Sequence, residues 1–239
     1  MAISKVVYKS SANATPVVWM DATSATAAAA DITSPKTAML ANGVVTTGTG
    51  SGGGGGLSWS DVATGAQPSG NIDLGSATSV RDYFMYYNQT ANEWTVTGNS
   101  VTSVGQNCFR MNTYLKAAYF PVLASMSGSG YLFYGSSRLT TVDLGLVDTI
   151  RPNCFNSCSA LNVLILRRTT ITALQQTQSF TGTPFASGGT GGTIYIPQSL
   201  YNHLGDGTSL DYKAASNWAT MDGYGTITWA KIEGSAYEL

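Results

Sequence analysis

Apolar residues recur along the middle of the chain in a fixed pattern of six positions. In residues 147–166, VDTIRPNCFNSCSALNVLIL, they fall at −8, −5, 0, +6, +9 and +11 relative to Phe155. The pattern fits three earlier segments centred on Met85, Phe109 and Phe133, although the insert SGSG displaces the first two positions of the last one. The four central residues are spaced by 24, 24 and 22 positions. A period near 23 predicts a solenoid, in which each coil buries its apolar side against its neighbours.

The positions from +6 to +11 predict a short strand that stacks in parallel on the next coil. Side chains alternate along a strand, so the residues between the apolar positions are expected to face outward. This predicts an exposed column formed by Thr95, Tyr119, Asp143 and Ile165. Ile72 and Leu74 fit the strand of an additional N-terminal coil, and Ile171 and Leu174 fit the start of a last one. The predicted fold class is mainly β: a short solenoid of parallel strands with a small N-terminal module and an α+β C-terminal cap.

The repeated pattern resembles the BspA-like leucine-rich repeats, which carry Ile-x-x-x-x-Phe-x-x-Cys-x-x-Leu-x-x-Val-x-Leu. Residues 147–166 match this pattern almost position by position, with Cys158 at the family's cysteine, whereas the other copies replace that cysteine. The resemblance implies a leucine-rich-repeat solenoid with a binding role. Members of the family occur on bacterial cell-surface proteins, where they bind host or matrix ligands, and in bacteriophage and prophage virion proteins.

Changes in composition divide the chain into four predicted parts. These are an attachment or oligomerisation module at 1–48, a Gly-rich linker at 49–56, the solenoid at 57–197 and a C-terminal cap at 198–239. In the first part we expect strands at 17–20 and 44–47, from their β-branched content, and a short helix in the alanine run at 25–30. In the cap we expect a helix that begins at Asp211 and a strand at 226–229.

The chain carries unusually little charge. Charged residues make up 10% of it and the net charge is −1, against about 25% charged residues in typical soluble proteins. Nucleic acid is therefore not an expected partner. No apolar run reaches the roughly 20 residues of a membrane-spanning helix, and residues 1–16 lack the apolar core of a signal peptide. We expect a protein that is made in the host cytoplasm, is not inserted in a membrane and has the Thr-, Ser- and Gly-rich surface of a virion.

These features favour a non-enzymatic bacteriophage virion protein of the tail-fibre, head-fibre or decoration type. Residues 31–50, DITSPKTAMLANGVVTTGTG, resemble a short module that begins many phage tail and gut-bacterial repeat proteins. Residues 1–48 are expected to bind other virion proteins or further copies of the chain, because so small a module buries little surface alone. The solenoid is expected to bind a host cell-surface glycan or protein, or another virion protein. The alternatives are a bacterial leucine-rich-repeat surface adhesin and a glycan-active enzyme, whose paired carboxylates need only meet in space.

Tyrosines flank the central residues of two copies, Met85 and Phe133, at the same −2 and +1 positions. Tyrosine presents an apolar face and a polar tip, which suits contact with sugars. Together with the outward column they give the candidate ligand-binding residues Tyr83, Tyr86, Tyr119, Tyr131, Tyr134 and Asp143. In the alternative interpretation, which the sequence leaves open, the tyrosines only pack along the edge of the solenoid.

The sequence shows no motif for catalysis, cofactor binding or metal binding. His203 is the single histidine, and residues 206–211 lack the alternating acids of a calcium loop, so a turn before a helix is expected there. Cys108 and Cys154 lie two coils apart, which places them about 10 Å from each other, beyond the roughly 7 Å that a disulfide spans between Cα atoms. We therefore expect these two cysteines and Cys158 to be free and buried.

Overall fold

The computed structural model describes residues 71–87 and 93–239, together with the backbones of four earlier strands, Lys5–Tyr8 (β1), Val17–Asp21 (β2), Thr37–Met39 (β3) and Val45–Thr47 (β4). The chain divides into two compact units, Met1–Gly55 and Gly56–Leu239. In the first unit, β1 pairs with β2 and β3 pairs with β4, both antiparallel. The strands predicted at 17–20 and 44–47 are present, whereas the helix predicted at 25–30 and the linker at 49–56 lie outside the described residues.

The second unit is a solenoid with strands on two sides. On one side, seven parallel strands follow one another in chain order: Ile72–Asp73 (β5), Trp94–Thr97 (β7), Leu115–Tyr119 (β9), Thr141–Asp143 (β11), Val163–Ile165 (β13), Gly192–Ile196 (β15) and Ile227–Lys231 (β16). On the other side lie two-residue strands, three of them in one sheet and two in another: Ser79–Val80 (β6), Ser103–Val104 (β8), Ser125–Met126 (β10), Thr149–Ile150 (β12) and Ala173–Leu174 (β14). The predicted fold class, a mainly β solenoid of parallel strands, is therefore confirmed.

The apolar positions of the repeat form one continuous core between these two sides. Of the described positions in the four copies, all are buried except Ala77, which is partly buried and packs against the core. Burying one large apolar side chain contributes roughly 1.5–3 kcal/mol. Because each coil repeats the same six positions, the repeat supplies most of the driving force for folding this unit.

The central residue of each copy, here called its anchor, stacks on the anchors of neighbouring coils. Ring centroids lie 5.5 Å apart for Phe109 and Phe133, 5.7 Å for Phe133 and Phe155, and 5.2 Å for Phe155 and Phe180. The stacking identifies Phe180, which ends a 3-10 helix at Thr177–Phe180, as the anchor of a fifth coil. The sequence pattern missed it because it lies 25 residues after the preceding anchor. Below, coils 1 to 5 are numbered by the anchors Met85, Phe109, Phe133, Phe155 and Phe180.

The predicted register is wrong in the strand of coil 1. Trp94 pairs with Leu115 and Val96 pairs with Ala118, with an irregularity after Trp94, whereas the pattern predicted Trp94 opposite Ala118. The cause is the length of the turn, since the buried strand begins nine residues after the anchor in coil 1 and six residues after it in coil 2. The extra residues shift the strand by two positions and keep its alternation intact.

A glycine and a phenylalanine accommodate this shift. Gly98, 13 residues after its anchor, takes the place in the sheet that Phe120 occupies in coil 2, and its N–H donates to the carbonyl oxygen of Tyr119. A Cβ atom at Gly98 would lie 2.8 Å from Cδ1 of Phe120, so the ring of the next coil fills the space. In consequence Thr97, and not Thr95 as predicted, lies beside Tyr119 on the large sheet.

The position of the family's cysteine, three residues after the anchor, donates a hydrogen bond to the anchor carbonyl of the preceding coil. The three donors are Cys158 to Phe133 at 3.0 Å, Ser136 to Phe109 at 2.8 Å and Asn112 to Met85 at 2.6 Å. Each bond satisfies a backbone carbonyl inside the solenoid, where an unpaired acceptor is costly. The residues that replace the cysteine therefore keep its role in joining adjacent coils.

All three cysteines are free and buried, which confirms their interpretation as packing residues. Burial raises the pKa of the Cys108 thiol to about 12 and also raises the pKa of Cys154 and of Cys158. Thiols react as thiolates, so these side chains are suited to packing and not to chemistry.

The cap continues the large sheet and closes the end of the core. It contains two short helices, Gln198–Tyr201 (α1) and Ser216–Asp222 (α2), and β16, which includes most of the strand predicted at 226–229. The predicted start of the second helix is wrong, because Asp211 closes a turn instead. Its carboxylate accepts hydrogen bonds from the N–H groups of Gly207 and Lys213 at 3.0 and 2.8 Å. Tyr212 and Trp218, which follow this turn, are both buried.

Candidate binding surface

The turn around each anchor contains two residues in the left-handed backbone conformation. Those at −2 are Tyr83, Asn107, Tyr131 and Asn153, with φ of 60°, 55°, 61° and 54°, and those at +2 are Tyr87, Met111, Gly135 and Ser157, with φ of 60°, 60°, 74° and 64°. Asparagine and glycine adopt this conformation readily, whereas in a bulky residue it costs on the order of 1 kcal/mol. At the −2 position the backbone therefore favours the asparagine of coils 2 and 4 over the tyrosine of coils 1 and 3.

These turns place five tyrosines and one arginine together on one edge of the solenoid. This surface, named here the tyrosine edge, consists of Tyr83, Tyr86, Tyr87, Arg110, Tyr131 and Tyr134. In coil 1, Tyr86 contacts Tyr83 edge-on at 5.5 Å between ring centroids and Tyr87 at 6.1 Å. In coil 3, the centroids of Tyr131 and Tyr134 lie 5.5 Å apart. Tyr83, Tyr86 and Tyr87 are 47, 38 and 57% exposed, which is unusual for large side chains in this unit.

Arg110 of coil 2 joins the tyrosines of the two coils beside it. Its guanidinium carbon lies 5.8 Å from the ring centre of Tyr86, 5.1 Å from that of Tyr131 and 5.0 Å from that of Tyr134. A cation over an aromatic face contributes about 0.5–1 kcal/mol at exposed sites and more where water is excluded. The guanidinium of Arg110 therefore contacts tyrosine rings of both coil 1 and coil 3 and links them through one positive charge.

The polar groups of Arg110 have few partners within the protein. Nη1 donates to Oδ1 of Asn107 at 3.3 Å, and Nε is buried without a hydrogen-bond partner. No carboxylate of the described residues lies within ion-pairing distance of its guanidinium. Arg138 provides the contrast: it stacks on Tyr114 at 4.5 Å, but its Nη1 lies 3.8 Å from Oε1 of Glu93.

Asp143 and Tyr119, the other two candidate residues, lie together on the large sheet and not on the tyrosine edge. The prediction that Asp143 and Ile165 are exposed is wrong, since their exposure is 2% and 0%. Asp143 forms a buried ion pair with Arg167, whose Nη2 is 2.7 Å from Oδ2. Its Oδ1 accepts a hydrogen bond from the N–H of Gly145 at 2.9 Å. The carboxylate is therefore fully engaged within the protein.

The C-terminal segment covers this part of the sheet. Arg167 donates through Nη2 to the backbone oxygen of Tyr237 at 2.8 Å, and the ring of Tyr237 meets that of Tyr195 at 4.7 Å between centroids. Tyr195 pairs with Ile165, which in turn flanks Asp143. Burial raises the pKa of the Asp143 carboxyl, although the hydrogen bonds from Arg167 and Gly145 act in the opposite direction. Asp143 and Ile165 of the outward column are thus internal contacts and not a candidate surface, whereas Thr95 and Tyr119 are partly exposed.

The sequence pattern placed the tyrosines of coils 1 and 3 at equivalent positions, but Arg110 was not among the candidate ligand-binding residues. Its position one residue after the Phe109 anchor is the position that Tyr86 and Tyr134 hold in the coils on either side. Aligning the three coils therefore places a cation between two aromatic residues. That alignment is the signal that would have identified the centre of the surface.

Nothing in the described part of the chain forms a metal centre. No group of three or more His, Cys, Asp or Glu side chains that could hold a metal ion is present among these residues. His203 lies 2.6 Å from Oδ2 of Asp206 through Nδ1, in an exposed loop. The backbone N–H of Thr208 and the side chain of His203 hold the pKa of Asp206 below its usual value. Within the same residues, no helix has the length and apolarity needed to cross a membrane.

Six copies of the BspA type leucine-rich repeat region match residues 73–201, just over half of the chain. The chain belongs to this family. Among curated proteins and among solved structures, none matches it significantly. Leucine-rich-repeat domains are typically non-enzymatic binding modules, so the family together with the tyrosine edge indicates a role in binding at a surface.

Proposed function

We propose that this protein is a non-enzymatic bacteriophage virion protein whose solenoid binds a host cell surface through the tyrosine edge. The observation that carries the binding site is the placement of Tyr83, Tyr87 and Tyr131 in left-handed turns. Strained backbone conformations persist where surrounding structure supports them, and they are concentrated at functional sites. Asn107 and Asn153 occupy the equivalent turns of coils 2 and 4, so folding alone does not require tyrosine there.

The chemistry of this surface favours a carbohydrate ligand. Three adjacent tyrosines of coil 1 present ring faces and hydroxyl groups to solvent, with exposures between 38 and 57%. Such side chains supply flat apolar contact area together with a polar tip. A host-surface glycan offers both matching features, since its C–H faces contact rings and its hydroxyls accept or donate hydrogen bonds.

Virion attachment is the second part of the proposal. It is supported by the low charge of the chain and by the resemblance of residues 31–50 to a module of phage tail proteins. In this proposal residues 1–48 bind other virion proteins or further copies of the chain. A bacterial surface adhesin would use the same edge for binding. The two roles therefore differ in whether the solenoid is attached to a phage particle or to the bacterial envelope.

The binding role is tested with fluorescently labelled full-length protein on a panel of bacterial cells. We expect saturable binding to some strains and a loss of at least tenfold in affinity for Tyr83→Ser combined with Tyr86→Ser. Tyr201→Ser, which changes a similarly exposed tyrosine of the cap, serves as the control and should bind normally. Equal binding of the double variant and the control would contradict the assignment of the tyrosine edge.

The carrier is tested separately by immunogold labelling. Antibody against the solenoid should decorate phage particles at one defined structure and leave uninfected cells unlabelled. Labelling of the bacterial envelope with unlabelled particles would establish the adhesin instead. Light scattering of the full chain and of residues 57–239 should show association only when residues 1–48 are present.

A further inference from the structure

We propose, building on the proposed function, that the tyrosine edge recognises a sugar bearing a carboxylate and that Arg110 is the group that contacts this carboxylate. A guanidinium carries five N–H donors in a planar fork that matches a carboxylate. Within the described residues, the Arg110 guanidinium makes one hydrogen bond, to Oδ1 of Asn107. Most of its donors are therefore left without an acceptor.

The charge of Arg110 is also uncompensated at the site. The acid in the neighbouring turn, Asp82, accepts the backbone N–H of Gln106 at 2.8 Å and forms no ion pair with Arg110. Arg138, the arginine that stacks on Tyr114, shares its partner Glu93 with Lys116. Both arginines stack on tyrosine rings. Arg138 is paired with a carboxylate of the protein, whereas Arg110 is available to pair with a carboxylate of a ligand.

The surroundings of Arg110 favour an acidic sugar over an acidic peptide. Its guanidinium is held between Tyr86 on one side and Tyr131 and Tyr134 on the other. When a ligand carboxylate binds the guanidinium, the part of the ligand that carries the carboxylate comes into contact with these rings. A pyranose ring presents C–H groups to such a surface, whereas the flexible side chain of an aspartate or glutamate leaves most of the ring area uncovered.

The test compares two probes that share one sugar backbone and differ at the carboxyl groups, trigalacturonic acid and its uncharged, fully methyl-esterified form. Binding to the full-length protein is measured by titration calorimetry and by shifts of the tyrosine NMR signals. We expect the acid to bind at least tenfold more tightly than the ester, and added salt to weaken only the acid. Arg110→Gln should abolish this difference between the probes.

Two further variants keep the test decisive. Arg138→Gln removes the arginine that is paired with Glu93 and should leave both affinities unchanged. Arg110→Lys keeps the charge but lacks the planar fork, and we expect it to retain less than a third of the affinity for the acid. If Arg110→Gln fails to fold, this lysine variant and the two probes carry the test alone.

The outcomes separate this inference from the proposed function. Equal affinity for the acid and the ester, or tighter binding of a polyglutamate peptide than of the acid, would overturn the role of Arg110 in recognising an acidic sugar. Absence of binding by both probes would also overturn it, while cell binding that depends on Tyr83 and Tyr86 would leave the proposed function standing. If cell binding did not depend on Tyr83 and Tyr86, the tyrosine edge would not be the binding surface, and the proposed function would be contradicted as well.

Discussion

The tyrosine edge and the outward column of the large sheet differ in their exposure to solvent. On the edge, Tyr83, Tyr86 and Tyr87 remain more than one third exposed. On the sheet, Asp143 and Ile165 are buried. Both sets follow from the same repeat, and both point away from the core that the repeat builds.

The difference lies in what another part of the chain does to each surface. The sheet column is covered from the C-terminal segment, where the backbone oxygen of Tyr237 accepts a hydrogen bond from Arg167. Arg167 in turn pairs with Asp143, so a residue of one coil and a residue of the tail close over the sheet. The edge is bridged by Arg110, which lies among the rings and leaves them accessible. Repeat periodicity therefore predicts which side chains leave the core, but not which of them meet solvent.

The largest effect is expected for the core that both surfaces share. Phe155→Ala should lower the free energy of unfolding by about 3–5 kcal/mol, because the ring stacks between Phe133 and Phe180. Denaturant midpoints and slopes of the two proteins give this value. A loss below about 1 kcal/mol would mean that the anchors do not form a continuous stack.

Asp143→Ala tests whether the sheet column is really closed. Removing one partner leaves the Arg167 charge partly buried and unpaired, and we expect a loss of roughly 3 kcal/mol. Asp143→Asn should cost less, because a neutral amide suits a buried position that already raises the pKa of the carboxyl. Asp148→Ala, which changes an exposed acid of the following turn, should alter stability by less than about 0.5 kcal/mol. Equal stability of the Asp143 and Asp148 variants would show that the column is exposed after all.

The parts of this structure that the sequence predicted are those determined by neighbouring coils. Burial of Val147, Ile150 and Leu164 follows from a six-position pattern, because each apolar residue packs against its counterpart one period away. The same holds for the tyrosines, which share the −2 and +1 positions of two turns. Local periodicity carries this information directly.

The parts that could not be predicted depend on unequal coil lengths or on distant contacts. Three extra residues in the turn of coil 1 move Trp94 by three positions and the rest of its strand by two, and only the ring of Phe120 over Gly98 reveals why the shift is tolerated. The cover over Asp143 comes from Tyr237, which lies 70 residues after Arg167. The periodic pattern of the sequence indicates neither how turn length shifts strand pairing nor which residues 70 positions apart are in contact.

Tyr83→Asn is expected to act with the opposite sign to the core variants. Coils 2 and 4 carry asparagine at this position, and removing a bulky residue from φ of 60° relieves strain on the order of 1 kcal/mol. The variant also gives up the edge-on packing of the Tyr83 ring against Tyr86, so we expect a net gain of about 0.5 kcal/mol in stability together with weaker cell binding. Tyr201→Asn lies outside a left-handed turn and should give no gain. Destabilisation by Tyr83→Asn beyond about 1 kcal/mol would show that the tyrosine serves packing.

The smallest effect is expected for Cys108, a buried residue of the coil 2 turn that also carries Arg110. Burial raises the pKa of this thiol to about 12, so only about one molecule in ten thousand carries the thiolate at pH 8. Its Sγ also donates to the backbone oxygens of Arg81 and Gly105 at 2.9 and 3.1 Å. A water-soluble thiol reagent should therefore leave Cys108 unmodified in the native protein over hours and modify it within minutes in denaturant.

This measurement also distinguishes an open surface from a mobile one. An edge that is exposed but rigid protects the thiol beneath it, whereas an edge that opens to admit its ligand exposes the thiol transiently. Cys154 occupies the same position in coil 4 and contacts the backbone of Leu132 and Phe133, between Tyr131 and Tyr134, so it reports on the coil 3 side of the edge in the same digest. Protection of both cysteines would indicate a preformed binding surface, and labelling of either one in the native protein would indicate that its side of the edge rearranges before it binds.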